Sequence, residues 1–240
     1  MGKDDKQRIL RNKAKKAARM AVRKARRRKA ALAAGSGFIA RFGASRTEIG
    51  ASPIHRALVS QAIFDQGIGD VLISRTLQDG RIALACALID PYCLGVKDAF
   101  LRVLSPGGYD ELVARAAEVQ RFEEVAPAYA RKLIDDAIDY AAALGFEPHE
   151  DFDDALVVLD PIDSTSCDAR FTFGKDGKPF YVNGPNHDVS KARAIVLHLI
   201  ERCGPEGFDY LVGGLPPNVL AGLPVAQRVV AVPNDANASI

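Results

Sequence analysis

The 240-residue chain has no tryptophan, two methionines and an aromatic share of 7%. It has no run of roughly 20 apolar residues, so no membrane-spanning helix is expected. Its basic start is not followed by an apolar stretch of about 7 to 15 residues, which argues against a secretory leader and for a cytoplasmic location. The four cysteines, Cys86, Cys93, Cys167 and Cys203, form no C-x-x-C pair and are expected to be free thiols. Phosphate-binding glycine motifs are missing too. Gly67 and Gly69, Gly107 and Gly108, and Gly213 and Gly214 fit neither G-x-x-x-x-G-K-[ST] nor G-x-G-x-x-G, so no nucleotide cofactor is expected. "HEDFDD" at 149–154 is not H-E-x-x-H, and "DPID" at 160–163 is no calcium loop. These stretches suggest no metal site, and no cofactor of any kind is expected.

The most informative absence is of acid. No Asp or Glu occurs between Asp5 and Glu48. Of the 32 basic residues 14 precede Gly35, against two of the 30 acidic ones, so the start carries +12 and the remainder, with 18 against 28, carries −10. Solvated surfaces ordinarily mix both signs. A block of one sign this dense has the composition of an electrostatic arm, able to neutralise several phosphates and release their counterions. Residues 1–34 contain no Gly or Pro beyond Gly2 and are rich in Ala, Lys and Arg, so the arm is expected to be helical or disordered. Lys13, Lys15, Lys16, Arg19, Arg23, Lys24, Arg26, Arg27, Arg28 and Lys29 are its candidate phosphate contacts. The absence of aromatic residues there argues against base stacking.

With 48% hydrophobic residues, the rest of the chain has the means to build a core. Residues 35–52 hold Gly, Ser and a following Pro53, and read as a linker or irregular lead-in. From 53 to 215 the pattern is that of an α+β body: two β-hairpins with packed amphipathic helices, preceded by the basic arm. The first hairpin is expected over 69–89 around "QDG", the second around Asp176-Gly177. Helices are expected in "YDELVARAAEVQ", in "APAYARKLIDDAIDYAAALGF" with Gly145 as its stop, near "DFDDALVVL", and in "DVSKARAIVLHLIERCG" between Asp188 and Gly204. "FDYLVGGL" reads as a returning strand. A sub-boundary is expected near 160–168, and 216–240 reads as a Pro/Gly-rich tail.

Three stretches, "GIGDVLISRTLQDGRIALACALIDPYCLGVKDAF", "DYAAALGFEPHEDF" and "FGKDGKPFYVNGP", together resemble a family of uncharacterised bacterial proteins. In that family a strand pair ending in a Tyr-Cys-Leu-Gly-Val-Lys-Asp motif precedes helices and a Phe-Gly-Lys-Asp-Gly-Lys-Pro hairpin. The resemblance implies one folded unit over roughly 53–212 and no activity.

On this reading the protein is non-enzymatic and cytoplasmic. The arm anchors it to RNA, to the ribosome or to DNA, and the body supplies specificity or recruits a protein partner. Lys175, Lys178, Lys191 and Arg193 offer a secondary basic patch. An alternative reading is a cysteine-dependent enzyme with Cys93 as nucleophile, His149 (or His55) as base and Asp98 (or Asp90) as acid, because a thiol needs a base or a depressed pKa to attack. Another is a partner-binding module that uses Phe180 and Tyr181.

Overall fold

In the computed structural model, residues 35–184 and 188–212 are described; the basic arm and the 216–240 tail lie outside them. The architecture is α+β. Its centre is a five-stranded antiparallel sheet in the order β4-β3-β2-β1-β5, made of β1 (Ile54–Ser60), β2 (Gly69–Thr76), β3 (Ile82–Asp90), β4 (Gly95–Leu104) and β5 (Phe122–Glu124). The first expected hairpin is β2 and β3, in continuous register from Gly69 opposite Ile89 to Thr76 opposite Ile82.

β3 shows why both sheet faces are covered. Ala83, Ala85, Ala87 and Ile89 project to one side, while Ile82, Leu84 and Cys86 project to the other, and all are buried. The alanine side leaves room for helices α5 (Pro127–Leu144) and α6 (Phe152–Leu159). The other side takes Tyr109, Leu112 and Val113 of α4 (Pro106–Val119). Burying an aliphatic side chain is worth about 1.5–3 kcal/mol, so each layer contributes substantially.

Helix α5 forms where its apolar spacing predicts. Pro127 takes the first turn, and Ala130, Leu133, Ile134, Ala137, Ala141 and Leu144 are its buried face. It ends at Gly145 in the left-handed region, φ 97°, with Gly145 N–H donating to Ala142 O and Phe146 N–H to Ala141 O. Gly95 at the start of β4 lets this helix approach: a Cβ there would lie 2.7 Å from Ala141 Cβ, at φ 66°.

Residues 35–52 depart from the expected linker. They form α1 (Gly35–Phe42) and α2 (Arg46–Ala51), and Phe38, Phe42, Ala44 and Ile49 are buried in the main core. Ser45 and Glu48 close a capping box, the reciprocal pattern that starts a helix. Arg41 and Arg46 then reach Asp154 at 3.0 and 2.6 Å, tying both helices to the first turn of α6. Apolar anchoring and capping outweigh the local Gly and Ser content.

Of the two strands that the sequence patterns did not delimit, β4 extends the hairpin into a meander and β5 adds to the opposite edge, beside β1. The bulge at β4, where register shifts between Leu88 and Ile89, breaks the alternation that would have marked it. The second expected hairpin is reduced to its turn. Asp176 (φ 52°) and Gly177 (φ 81°) make a tight reversal with one bridge, Lys175 to Lys178. The chain before it joins no sheet among the described residues. Instead Phe171 lies against Phe64 and Tyr129, with centroids at 5.9 and 5.1 Å, and Phe173 stacks on Tyr140 at 5.3 Å. The chain after it, β6 (Phe180–Val182), runs parallel to β7 (Asp209–Leu211), the strand expected in "FDYLVGGL". Helix α7 (Val189–Cys203) closes this part with Asp188 as N-cap and Gly204 as C-cap, as expected. At 160–168 there is one turn of 3-10 helix, Ser164–Ser166, whose Ser164 hydroxyl donates to Asp135 of α5 at 2.9 Å.

Candidate functional site

The Tyr92-Cys93-Leu94-Gly95 stretch and the segment around Asp176-Gly177 meet in space. The β3–β4 connection, Asp90-Pro91-Tyr92-Cys93-Leu94, receives bonds from the segment around the 176–177 turn: Gly174 N–H donates to Pro91 O and Phe180 N–H to Tyr92 O, at 2.9 and 3.0 Å. Asp90 organises the connection. Its Oδ1 accepts from Tyr92 N–H at 3.0 Å and Cys93 N–H at 2.9 Å, an Asx arrangement that fixes the turn. Asp90 is 4% exposed, and burial pushes its carboxyl up to about 6, with Lys97 and the backbone donors acting against the shift.

Cys93 is fully buried, in the cluster of Leu144, Tyr181, Val196, Leu199 and Phe208. Burial first, then the negative field of Asp90, pushes its thiol far above the usual range. Tyr140 and Tyr181 are raised as well, by burial first and then by Cys93 and Asp90. A thiol in this setting stays protonated at neutral pH and is a poor nucleophile.

The other catalytic candidates assemble elsewhere. His149 Nδ1 lies 3.7 Å from Asp98 Oδ1 and 3.8 Å from Asp151 Oδ2, and His149 N–H donates to Val96 O. The structure thus brings His149 to Asp98, but the groups acting on Cys93 are Asp90, Cys203 and Lys97. Asp98 acts instead on Cys86 and Asp70. Asp70 is raised by burial and held by Gln120, whose Nε2 donates to Asp70 Oδ2 at 2.5 Å; the Cys86 thiol is pushed well up, again chiefly by burial. His55 meets the Tyr109 ring edge-on at 5.0 Å. The groups acting on the two buried thiols among the described residues thus include no histidine, and the Cys86 thiol shares a hydrogen bond with the Asp70 carboxylate.

The four secondary basic residues fall into two pairs. The Lys175 ammonium sits 4.8 Å from the Phe180 centroid, and Lys178 Nζ donates to Glu206 O at 3.0 Å. Lys191 and Arg193 are exposed on the first turns of α7, where Lys191 N–H is taken by Asp188. Among the described residues no hydrogen bond or ion pair joins the two pairs. Tyr181 is fully buried and Phe180 half-buried, so the 176–177 turn presents no exposed aromatic pair. A hollow of about 280 Å³ lined by Gly145, His198, Glu201 and Arg202 lies at the end of α5. His198 Nε2 and Arg202 there donate to Leu144 O and Ala143 O, completing the helix cap.

Asp90 was visible in the sequence only as a possible acid, because "DPYC" shows a turn and not its burial. Tyr140 and Tyr181, 41 positions apart, carry no local signal of their convergence on it. The ten arm residues named above, Lys13 to Lys29, lie outside the described residues. No family model, curated protein or solved structure matches the chain. No helix among the described residues is long and apolar enough to cross a membrane.

Proposed function

We propose that this chain is a cytoplasmic, non-enzymatic protein that attaches to nucleic acid, either RNA (the ribosome included) or DNA, through its first 34 residues. The observation that carries the reading is the +12 charge before Gly35 on a body of −10. Phosphate neutralisation by such a segment is favoured by counterion release and carries little sequence preference. Specificity or partner recruitment then falls to the body. The fold supports this division of labour, because the arm's root is no free linker: α1 is held by Phe38 and Phe42 in the core and by Arg41 on Asp154, so a bound arm would keep the body close to its target.

The test is binding to ribosomal RNA and to a nonspecific DNA duplex at rising salt, with the full chain and with residues 1–34 deleted. If about six phosphates are neutralised, the full chain loses duplex affinity with a log–log slope of about −5, and the deletion removes most of both affinity and slope. Equal affinity with and without the arm would overturn the reading.

A further inference from the structure

The central sheet has two edges of very different character. β5 is three residues long and carries Glu123 and Glu124, the short, charged form that discourages pairing. β4 is ten residues long, and its outer side is covered at the start, where Val96 O accepts from His149 N–H. The bond from Leu77 N–H to Arg81 O sets the phase of the ladder. Ala83, Ala85 and Ala87 turn their backbone groups toward β2, which leaves Leu84, Cys86 and Leu88 to bond Arg102, Phe100 and Asp98. The N–H and C=O groups of Ala99, Leu101 and Val103 therefore point out of the sheet. Ala99 N–H donates to the carboxylate of the preceding residue, Asp98, at 2.7 Å. Leu101 and Val103 have no backbone partner on that side among the described residues.

The side chains along this edge complement themselves. Asp98 and Arg102 stand two residues either side of Phe100, all three on the face shared with Cys86. Asp98 is 59% exposed and Arg102 is exposed, its guanidinium 5.1 Å from the Phe100 centroid. We propose that β4 is a docking edge for a second copy of this chain, pairing antiparallel about a two-fold axis through Phe100. In that register Ala99 and the partner's Leu101, whose backbone groups both point outward, exchange two hydrogen bonds. Asp98 releases Ala99 N–H, turns from His149 Nδ1, 3.7 Å away, and faces the partner's Arg102, and the reciprocal pair forms across the axis. One strand thus satisfies the symmetry of an isologous interface with opposite charges in contact and no like charges opposed. The two sheets join into one of ten strands, and the two basic arms are carried on one particle.

The experiment is sedimentation of the nuclease-treated full chain over about a hundredfold range of concentration, since dimerisation follows mass action. A monomer–dimer equilibrium is expected. Asp98→Arg and Arg102→Asp should each raise the dimer dissociation constant roughly tenfold or more, and the two together should restore it, the signature of a direct pair. Both positions are exposed, and circular dichroism and the melting temperature show whether each variant folds. Exchange of the Leu101 and Val103 amides should slow as concentration rises. A chain monomeric throughout, or a dimer that neither reversal weakens, overturns the proposal. A dimer weakened by both reversals and not restored by the exchange overturns this register.

Discussion

Asp90 shows how one side chain can be both necessary and costly. Its carboxyl holds the β3–β4 turn, yet it titrates near 6 because burial disfavours its charge more than Lys97 and the backbone donors favour it. A folded-state value above the unfolded one of about 3.9 means a contribution to stability that is complete below pH 4 and lost as pH rises through 6. The loss amounts to about 3 kcal/mol by pH 7.5. Asp90→Asn keeps an oxygen for Tyr92 and Cys93 N–H and carries no charge. Its stability relative to the parent, from urea unfolding, should therefore improve by about 2 kcal/mol between pH 4.5 and 7.5; a difference independent of pH would refute this. The buried thiols make a second case. Iodoacetamide should label half-exposed Cys167 in the native protein well before Cys86 or Cys93 at any pH from about 5 to 9, and all four cysteines in urea. Rapid labelling of native Cys93 at neutral pH would return it to candidacy as a nucleophile.

At the scale of elements, legibility followed the range of the interaction that decides each one. Helix α5 and its Gly145 stop were plain, since both spacing and cap are local. So were the Asp188 and Gly204 caps of α7 and the β2–β3 hairpin. The second hairpin was misleading because its turn is real while its first arm is captured by Phe64, Tyr129 and Tyr140, contacts from distant segments. Residues 35–52 hid a readable signal, Ser45-x-x-Glu48 with Phe38 and Phe42 one turn apart, beneath a loop-like composition. Of the candidate site, the turn at Asp90 was legible and its company of tyrosines was not. Arg75 is another case that only the fold reveals. It is 5% exposed and meets no carboxylate among the described residues: Nε donates to Val158 O at 2.8 Å and Nη1 to Ser52 O at 2.5 Å, near the C-terminal ends of α6 and α2. One cation thus fastens two helix ends to β2, where the helix dipoles favour it. Arg75→Met leaves both carbonyls without that donor and should cost about 2–4 kcal/mol in chemical denaturation, with Arg75→Lys recovering part of it. A loss below 0.5 kcal/mol would show that water replaces the guanidinium at little cost.

For the whole molecule the question is how a +12 segment coexists with a −10 body on one chain. The arm's root is near acid by construction. α1 is about 12 Å long, and its Arg41 is bound to Asp154, so the arm begins one short helix away from a member of the acidic group Glu147, Glu150, Asp151, Asp153 and Asp154. These five are not equivalent. Asp154 is taken by Arg41 and Arg46, so changing it would disturb the docking of α1 and α2, and Asp153 stands beside it with its backbone O accepting from Arg46. Glu147 and Glu150 are exposed, and Asp151 is half-exposed beside His149. We predict that these three compete with nucleic acid for the arm and so discourage indiscriminate binding. Exposed pairs are worth only about 0 to 1 kcal/mol each and are screened beyond about 8 Å at physiological salt, so the competition should show at low salt and fade as salt rises. The measurement compares Glu147→Gln, Glu150→Gln and Asp151→Asn together with the parent on a nonspecific duplex, in the full chain and in one lacking residues 1–34. Long-range repulsion of phosphate by the body falls equally in both backgrounds, whereas relief of self-contact requires the arm. A larger gain in the full chain supports competition for the arm. An equal gain without residues 1–34 would mean that the acids act on the nucleic acid directly, and that the arm does not fold back on the body.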